Sequence, residues 1–529
     1  MICRRFVNFE GNLRMKRALL CGFCLLLVAL AACGREAKDG PFTVLLSVEA
    51  NTLDPHFATA TIEWSILMNM FDPLIERRAD MTLGPALAER WEVDETKKIW
   101  TFHLRKGVKF HNGEPFDAES VRYTFERMRD KKLKPRITVY RRIFLDRIEK
   151  VDSHTVKIHT KRPVATLPVW MVNAFMLPPK YYSSTPPKEL LKKPVGTGPY
   201  RLVRWIKDDR IEMKANEGWW RGRPAIEKVI WRPVAEASAR IAELETGGAD
   251  VIMNISPDQS KAIINNEEGL QFKGARGGRR IYLGIRTDHA VLGDSRVRRA
   301  LNHAIDFEAI IKNVFLGHGS RMRSIVNAPN AAPDIKAYAY DPQKAKALLA
   351  EAGLEDTNGD GVLEANGKPF KIELEVPSSR YLKGKEMAEF LAAYFRDVGV
   401  HVEVIPLEWS VFLARRRKKT LAPLYFHGFS SAFNEELDLG VLRPNLFANL
   451  TAWRNREFIQ NYKSLGQTFD PAGRKRISYR MQRIVHEESP WVFLWNQYDF
   501  FGLSARTQWT PRPDERIYLP TIRLKETKG

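Results

Sequence analysis

The residue clusters in this 529-residue chain that could perform chemistry are few, and most stop short of a catalytic set. His486-Glu487-Glu488-Ser489-Pro490 opens like a zinc-protease helix but lacks the second histidine, and there is no Gly-x-Ser-x-Gly elbow. The eleven histidines are dispersed rather than set at metal-ligand spacing. Val195-Gly196-Thr197-Gly198-Pro199-Tyr200 is glycine-rich, but it has neither the Gly-Lys-Ser/Thr ending of a phosphate loop nor the third glycine of a dinucleotide fingerprint. A tight backbone crossing between two domains, where glycine permits positive φ, is the reading it supports. Dispersed carboxylate pairs remain the one catalytic arrangement left open, so an enzyme is the rival class and a non-enzyme the expectation. No cofactor is expected.

One acidic run merits separate treatment. Asp356-Thr357-Asn358-Gly359-Asp360-Gly361 places oxygen ligands at alternate positions before a glycine, as an EF-hand loop begins. The bidentate glutamate should then fall at Gly367, and Glu364 comes three residues early. A plain acidic turn is favoured, with calcium held by Asp356, Asn358 and Asp360 as the alternative.

Charge and cysteine usage narrow the setting. The formal net charge is +21, of which residues 1–32 carry +4. Such a balance suits nucleic acid, an anionic membrane, an anionic solute or simply a soluble basic surface. Lysine and arginine are spread along the chain, and the densest run, Arg415 to Lys419, is short enough to read as a solvated helix face. No nucleic-acid partner is expected. The four cysteines, Cys3, Cys21, Cys24 and Cys33, leave the remainder of the chain without disulfide or thiol chemistry. Met15-Lys16-Arg17 and the apolar run Ala18 to Leu30 form a signal peptide too short to span a bilayer comfortably. The run ends Leu30-Ala31-Ala32-Cys33-Gly34, which resembles a bacterial lipobox. Translation is expected to begin at Met15, residues 1–32 to be removed, and Cys33 to carry lipid, with residues 33–40 as a tether outside the cytoplasm.

The stretch that organises the chain is Trp100 to Met128, WTFHLRKGVKFHNGEPFDAESVRYTFERM. Trp100, Phe102 and Leu104 alternate with polar residues as a half-buried strand does, and Val108 and Phe110 continue the alternation as a second strand. Asn112-Gly113 is a turn dipeptide. Asp117 can cap a helix that places Val121, Phe125 and Met128 on one face. This phrase resembles, nearly residue for residue, a signature of the extracytoplasmic solute-binding proteins of ABC importers, in the peptide/nickel-type cluster (family 5).

Similar matches run through most of the chain: Asn51 to Pro55, Phe71 to Ile75, Pro85 to Trp91, Val195 to Tyr200, Asn216 to Gly222, Ala239 to Asp250, Asp294 to Asp306, Tyr479 to Val485 and Trp491 to Trp495. Strands at Phe42–Ser47, Tyr200–Val203, Ile211–Met213 and Val400–Val404, a hairpin over Ile148–Ile158 and a helix over Glu386–Val398 imply an α/β chain. The resemblance implies a Venus flytrap of the type II periplasmic-binding-protein kind, two lobes with an additional inserted domain. Lobe I would comprise 41–74, 196–285 and 505–529, the inserted domain 75–195, and lobe II 286–504.

The resemblance also implies a pocket. Peptide binders of the family hold the ligand's ammonium on an aspartate, whose place here is taken by Ala432 in Gly428-Phe429-Ser430-Ser431-Ala432; Glu435 or Glu436 could substitute through a shifted loop. An ammonium buried without a counter-charge would cost several kcal/mol, on the order of what abolishes ordinary peptide affinity. Arg380 occupies the position of a carboxylate-binding arginine, a role its guanidinium fork suits. Trp409, Phe429, Trp453 and Trp495, with Ser431 and Asn496, complete the expected wall. An arginine kept and an aspartate lost favour an anionic or non-peptide solute. The implied partners are that solute, an ABC permease with its ATPase, and the membrane through Cys33, with the receptor itself monomeric. A tethered sensor or chaperone of the same fold, without transport, is the alternative.

Overall fold

The computed structural model describes residues 40–525 except 138, 261–262, 264–268, 328–329, 379 and 445–448. Cys33, the leader and the tether up to residue 39 lie outside the described residues. Phe42–Lys525 form one compact unit.

Its spine is an eleven-stranded mixed sheet. Across it the strands run His401–Leu407, Lys371–Pro377, Leu424–Ser430, Gln271–Ile285, Trp491–Leu503, Val251–Met253, Phe42–Leu46, Lys228–Pro233, Arg210–Ala215 and Tyr200–Ile206, with Ser320–Arg321 pairing off this path. Gln271–Ile285 and Trp491–Leu503 are long, antiparallel and central. The first flank beyond them contains the parallel pairing of Lys371–Pro377 with His401–Leu407, and the second that of Phe42–Leu46 with Lys228–Pro233. The two long strands therefore join the halves of the molecule, each half with its own buried cluster, around Leu374, Leu391 and Val492 in one and around Val44, Trp231 and Leu503 in the other. This is the two-lobed α/β fold.

A separate four-stranded antiparallel sheet, in the order Ala88–Val93, Ile99–Leu104, Thr155–Thr160, Leu145–Asp152, carries the inserted domain and its own core. Trp100, Phe102 and Leu104 are buried in alternation as the two-residue period requires. Asp117 caps the Ala118–Arg129 helix, accepting from the N–H groups of Glu119 and Ser120, and Val121, Phe125 and Met128 are buried beneath it. The second strand expected there shrinks to a single bridge between Lys109 and Pro115. Pro115 has no N–H to extend the ladder, although Val108 and Phe110 still face inward.

The Gly196–Gly198 crossing is where expected, but for a different reason. Neither glycine has positive φ. A Cβ on Gly196 would stand 2.1 Å from the Met70 carbonyl oxygen, and one on Gly198 would stand 2.5 Å from the Met70 carbonyl carbon. Close approach of two backbones is what excludes a side chain.

Candidate functional site

The loop after Leu424–Ser430 is fastened to the long central strand by a buried ion pair. Arg280 Nη2 donates to Asp438 Oδ1 at 3.0 Å, and both side chains are nearly inaccessible to solvent. The same carboxylate accepts from Ser431 Oγ at 2.7 Å and from the Ala432 N–H at 2.9 Å. Ser431 N–H donates to the Gly278 carbonyl, and Phe433, held at positive φ, lies over Gly278, where a Cβ would come within 2.7 Å of its ring. Arg280 sits 5.0 Å from the Phe429 ring centre. The aspartate next to Ala432 in space is thus consumed by the fold and is not offered to a ligand.

Phe429, Ser431 and Ala432 face a cavity of about 650 Å³, within the range of small-molecule sites. Its walls come from Thr61 to Arg77, from Arg141 to Asn173 of the inserted domain, from the Phe429–Arg443 region with Tyr462, and from Pro513 to Arg516. Six arginines line it, Arg77, Arg141, Arg142, Arg162, Arg443 and Arg516, against three carboxylates, Glu436, Asp514 and Glu515. All three are already engaged: Arg512 pairs with Asp514 at 2.7 Å, Arg279 with Glu515 at 2.9 Å, and Arg474 lies 3.6 Å from Glu436. Burial, then the neighbouring Arg516, pushes Arg77 down to about 10, which leaves it charged at neutral pH. Burial raises Glu436. The cavity is electropositive.

Other expected wall residues lie elsewhere. Arg380 is exposed, with its guanidinium 5.5 Å from the Trp409 ring centre and 5.7 Å from that of Tyr381, and neither Arg380 nor Trp409 lines the cavity. Trp495 is buried against Phe307, Phe315 and Phe426, an inward-facing residue of a central strand. Trp453 is buried against Phe458 and donates its indole N–H to Glu488. Asn496 is buried in the central ladder opposite Arg280 and Ser320, its amide donating weakly to Ser320 Oγ at 3.4 Å. Of the two alternative ammonium partners, Glu435 is held by Arg474 at 2.6 Å, while Glu436, more loosely paired with the same arginine at 3.6 Å, reaches the cavity wall. The cavity arginines carry no local signature in the sequence. They are scattered from Arg77 to Arg516 without a period, and only their aromatic neighbours in sequence, Tyr140 and Phe144, hint at stacked cations.

In the acidic turn, ligand atoms of Asp356, Asp360 and Glu364 lie within 4.8 Å of one another. The early Glu364 thus joins the group, whereas Asn358 turns its side chain to Asp360, accepting from its N–H and donating to its carboxylate. All three carboxylates accept backbone N–H bonds: Asp356 from Gly359 and Gly361, Asp360 from Val362, Glu364 from Thr357.

A two-lobed fold with an inserted domain and an arginine-lined cavity is the architecture of a solute-binding protein, and the comparisons agree. Residues 82–438 match the bacterial extracellular solute-binding proteins, family 5. The chain belongs to this family, whose members serve ABC importers for peptides or similar solutes. It is 29% identical over 482 residues to the glutathione-binding protein GsiB of Shigella boydii, covering 88% of this chain and 90% of that one. It is 30% identical over 504 residues to the dipeptide-binding protein of Escherichia coli (strain K12), covering 85% and 90%. Among solved structures, NikA from Brucella suis in complex with Fe(III)-EDTA superposes with a TM-score of 0.83 at 23% identity, over 92% of this chain and 100% of that one. Among the described residues, no helix is long and apolar enough to cross a membrane.

Proposed function

We propose that this protein is a monomeric receptor, tethered by lipid at Cys33, that captures an anionic peptide-like solute in the arginine-lined cavity and presents it to an ABC permease. The observation that carries this reading is the imbalance of the wall, six guanidinium groups against three carboxylates, each of the three already paired with an arginine outside the six. A ligand with a net negative charge gains from that field, and an extra ammonium does not. Ala432 in place of an aspartate points the same way, with Glu436 the one cavity carboxylate placed to meet an ammonium. The relatives named for glutathione and dipeptides make short peptides with surplus carboxylate the natural first candidates.

Lobe I would comprise 41–74, 196–285 and 505–529, the inserted domain 75–195 and lobe II 286–504. The lobes would close about the register break at Gly277–Gly278, where the two long strands lose their pairing, and solute would stabilise the closed form. The receptor hydrolyses nothing; a separate ATPase supplies the energy.

The test is native mass spectrometry of the purified protein, followed by thermal shift against a solute panel. The panel should contain glutathione, acidic and amino-blocked peptides, neutral and basic di- to pentapeptides, and sugar phosphates. Stabilisation by the anionic members alone supports the reading. Equal or greater stabilisation by basic peptides overturns it.

A further inference from the structure

The cavity shares one wall with an adjoining recess of about 360 Å³, and the shared residues are Arg142, Phe144, Arg162, Glu436, Arg443 and Tyr462. They come from opposite sides of a junction. Phe144 packs against the core of the inserted domain, with Arg162 over its ring and Arg142 over that of Trp170, whereas Tyr462 packs with the Leu439–Phe458–Leu465 cluster of the other lobe, with Arg443 over its ring and Glu436 on the short helix that carries Leu439. The two sides touch directly. Ala165 N–H donates to the Gly466 carbonyl at 3.2 Å, and the rings of Trp100 and Phe469 lie 6.0 Å apart.

Each of the three guanidinium groups rests on an aromatic ring: Arg162 at 3.6 Å from Phe144, Arg443 at 5.0 Å from Tyr462, and Arg142 at 5.7 Å from Trp170. Stacking fixes the plane of a guanidinium while leaving its N–H edges available for bidentate bonds to an oxyanion. Among the described residues none of the three pairs with a carboxylate, and Arg443 Nε is buried with no hydrogen-bond partner. Glu436 is the one acid among the shared residues, and it lies 3.6 Å from Arg474, which also holds Glu435. It can offset no more than one of the three charges. Burial, then Arg443 across the junction, weakens the protonated state of Arg142. Closing the junction therefore brings like charges together, unneutralised by the protein.

We propose that this junction is an anion-operated latch: an acidic group of the solute, carboxylate or phosphate, bridges Arg142 and Arg162 of the inserted domain to Arg443 of the facing lobe and so holds the two together. The inference rests on the anionic-solute reading above. It assigns recognition of the acidic group to this junction instead of to Arg380, and it makes the inserted domain a partner in closure.

The test pairs titration calorimetry with hydrogen exchange at the Ala165 amide, whose bond to Gly466 spans the junction. The probes, each acetylated at the amino end and amidated at the carboxyl end so that the side chain is the sole acidic group, are Ala-Ala-Glu, its phosphoserine counterpart Ala-Ala-phosphoserine, and uncharged Ala-Ala-Gln, applied to the full chain. The wild type should bind an acidic probe more tightly than Ala-Ala-Gln, and that probe should slow exchange at Ala165; the stronger of the two acidic probes distinguishes carboxylate from phosphate. Arg443→Gln and Arg142→Gln should each weaken the acidic probe about tenfold or more, the scale of one charge-assisted contact, and weaken Ala-Ala-Gln far less, so that the preference for the acidic probe collapses. Arg443→Gln should also slow Ala165 exchange without any probe, because it removes the repulsion. Arg480→Gln, which loses only an exposed pair with Glu457, is the control and should change neither readout. Acidic probes that bind equally to wild type and both variants, with Ala165 exchange unaltered, overturn the latch and leave the anionic reading standing. Binding of Ala-Ala-Gln with no gain from either acidic probe overturns both.

Discussion

The chain passes between parts of the molecule at two glycine-rich places, and the two are built in opposite ways. At Val195–Tyr200 the backbone is bolted down. Gly198 N–H donates to Met70 O at 3.0 Å and Tyr200 N–H to Asn69 O at 2.8 Å. Thr197 Oγ1 and Trp220 Nε1 both donate to Asp72, at 2.9 and 3.0 Å. His111 clasps the crossing from the inserted domain, with Nε2 3.0 Å from Gly198 O and Nδ1 accepting from the Gly196 N–H. At Gly277–Gly278 the ladder lets go. Arg276 pairs with Tyr498 and Arg280 with Asn496, so three residues pass opposite one. Such an irregularity bends a strand and interrupts its pairing. Near it Asp499 is buried with one carboxylate oxygen unpartnered. Glycine at the first place marks contact too close for a side chain; at the second, Gly277 is as tightly approached, a Cβ there standing 2.2 Å from Asp499 Oδ2 and 2.8 Å from the Gln497 carbonyl oxygen, but the pairing of the two strands is broken beside it. A glycine-rich phrase alone does not tell a weld from a hinge.

The strongest way to break the comparison is to loosen what is attached beside the hinge. Asp438→Ala would leave Arg280 buried without its counter-charge and release Ser431 and Ala432 as well. Removing one partner of a buried pair costs about 3–5 kcal/mol, so urea denaturation should show a loss of that order. A loss below about 1 kcal/mol would place the loop's anchorage elsewhere.

Acid should attack the weld before the hinge. His111 uses Nδ1 as an acceptor and Nε2 as a donor, so only the neutral ring satisfies both partners. Burial pushes it from 6.5 down to about 4. Because the unfolded chain takes up this proton at higher pH than the folded one, stability is full above 6.5 and falls as pH drops towards 4. One such histidine accounts for up to about 3 kcal/mol over that interval. His111→Gln should be less stable than wild type at pH 7 yet lose less between pH 6.5 and 4, measured by denaturation at each pH. Parallel pH profiles for the two proteins would remove His111 from this role.

A smaller effect separates the glycines themselves. A Cβ at Gly198 meets backbone atoms of Met70 and Phe71 at 2.5 and 2.7 Å, which cannot step aside. At Gly278 the nearest atoms belong to the Phe433 ring, at 2.7 Å, and a ring can turn. Gly198→Ala should therefore cost about 1–3 kcal/mol, as overpacking does. Gly278→Ala should cost less, while displacing Phe433 from the cavity wall and altering solute affinity. Equal losses from both would erase the distinction.

How far the sequence carried the reading follows from the same contrast. Local patterns were legible: the period-two burial of Trp100, Phe102 and Leu104, the cap at Asp117, and the helix face of Val297, Ala300 and Leu301 all hold in the fold. The weld was legible as a phrase, though its mechanism was not, because close approach depends on Met70 and Phe71, more than a hundred residues away. Gly277 and Gly278 carry no local signature, because they sit inside one fifteen-residue strand. Among candidate site residues, Phe429, Ser431 and Ala432 reach the cavity because the end of one strand and the loop that follows it carry all three. Trp453 and Trp495 do not, because a tryptophan at a strand or loop position gives no sign of which face it takes. The arginines Arg142, Arg162 and Arg443 become a site only when two domains meet, and no local rule connects residues so far apart.

The smallest effect concerns the acidic turn, which resembles the weld more than the hinge. Its carboxylates are occupied by the N–H groups of Gly359, Gly361, Val362 and Thr357, so the turn is closed by its own backbone, as Asx-type turns are. A cation there would have to share oxygens already engaged, on an exposed surface where Asp356 and Asp360 face water. Millimolar calcium added to a chelator-treated sample should therefore leave the melting temperature unchanged, and Asp356→Asn should cost about 1 kcal/mol, the scale of hydrogen bonds lost from one carboxylate. A rise of several degrees with calcium, abolished by Glu364→Gln, would instead make this turn a metal-fastened weld, with Glu364 as the third ligand that the loop spacing alone did not supply.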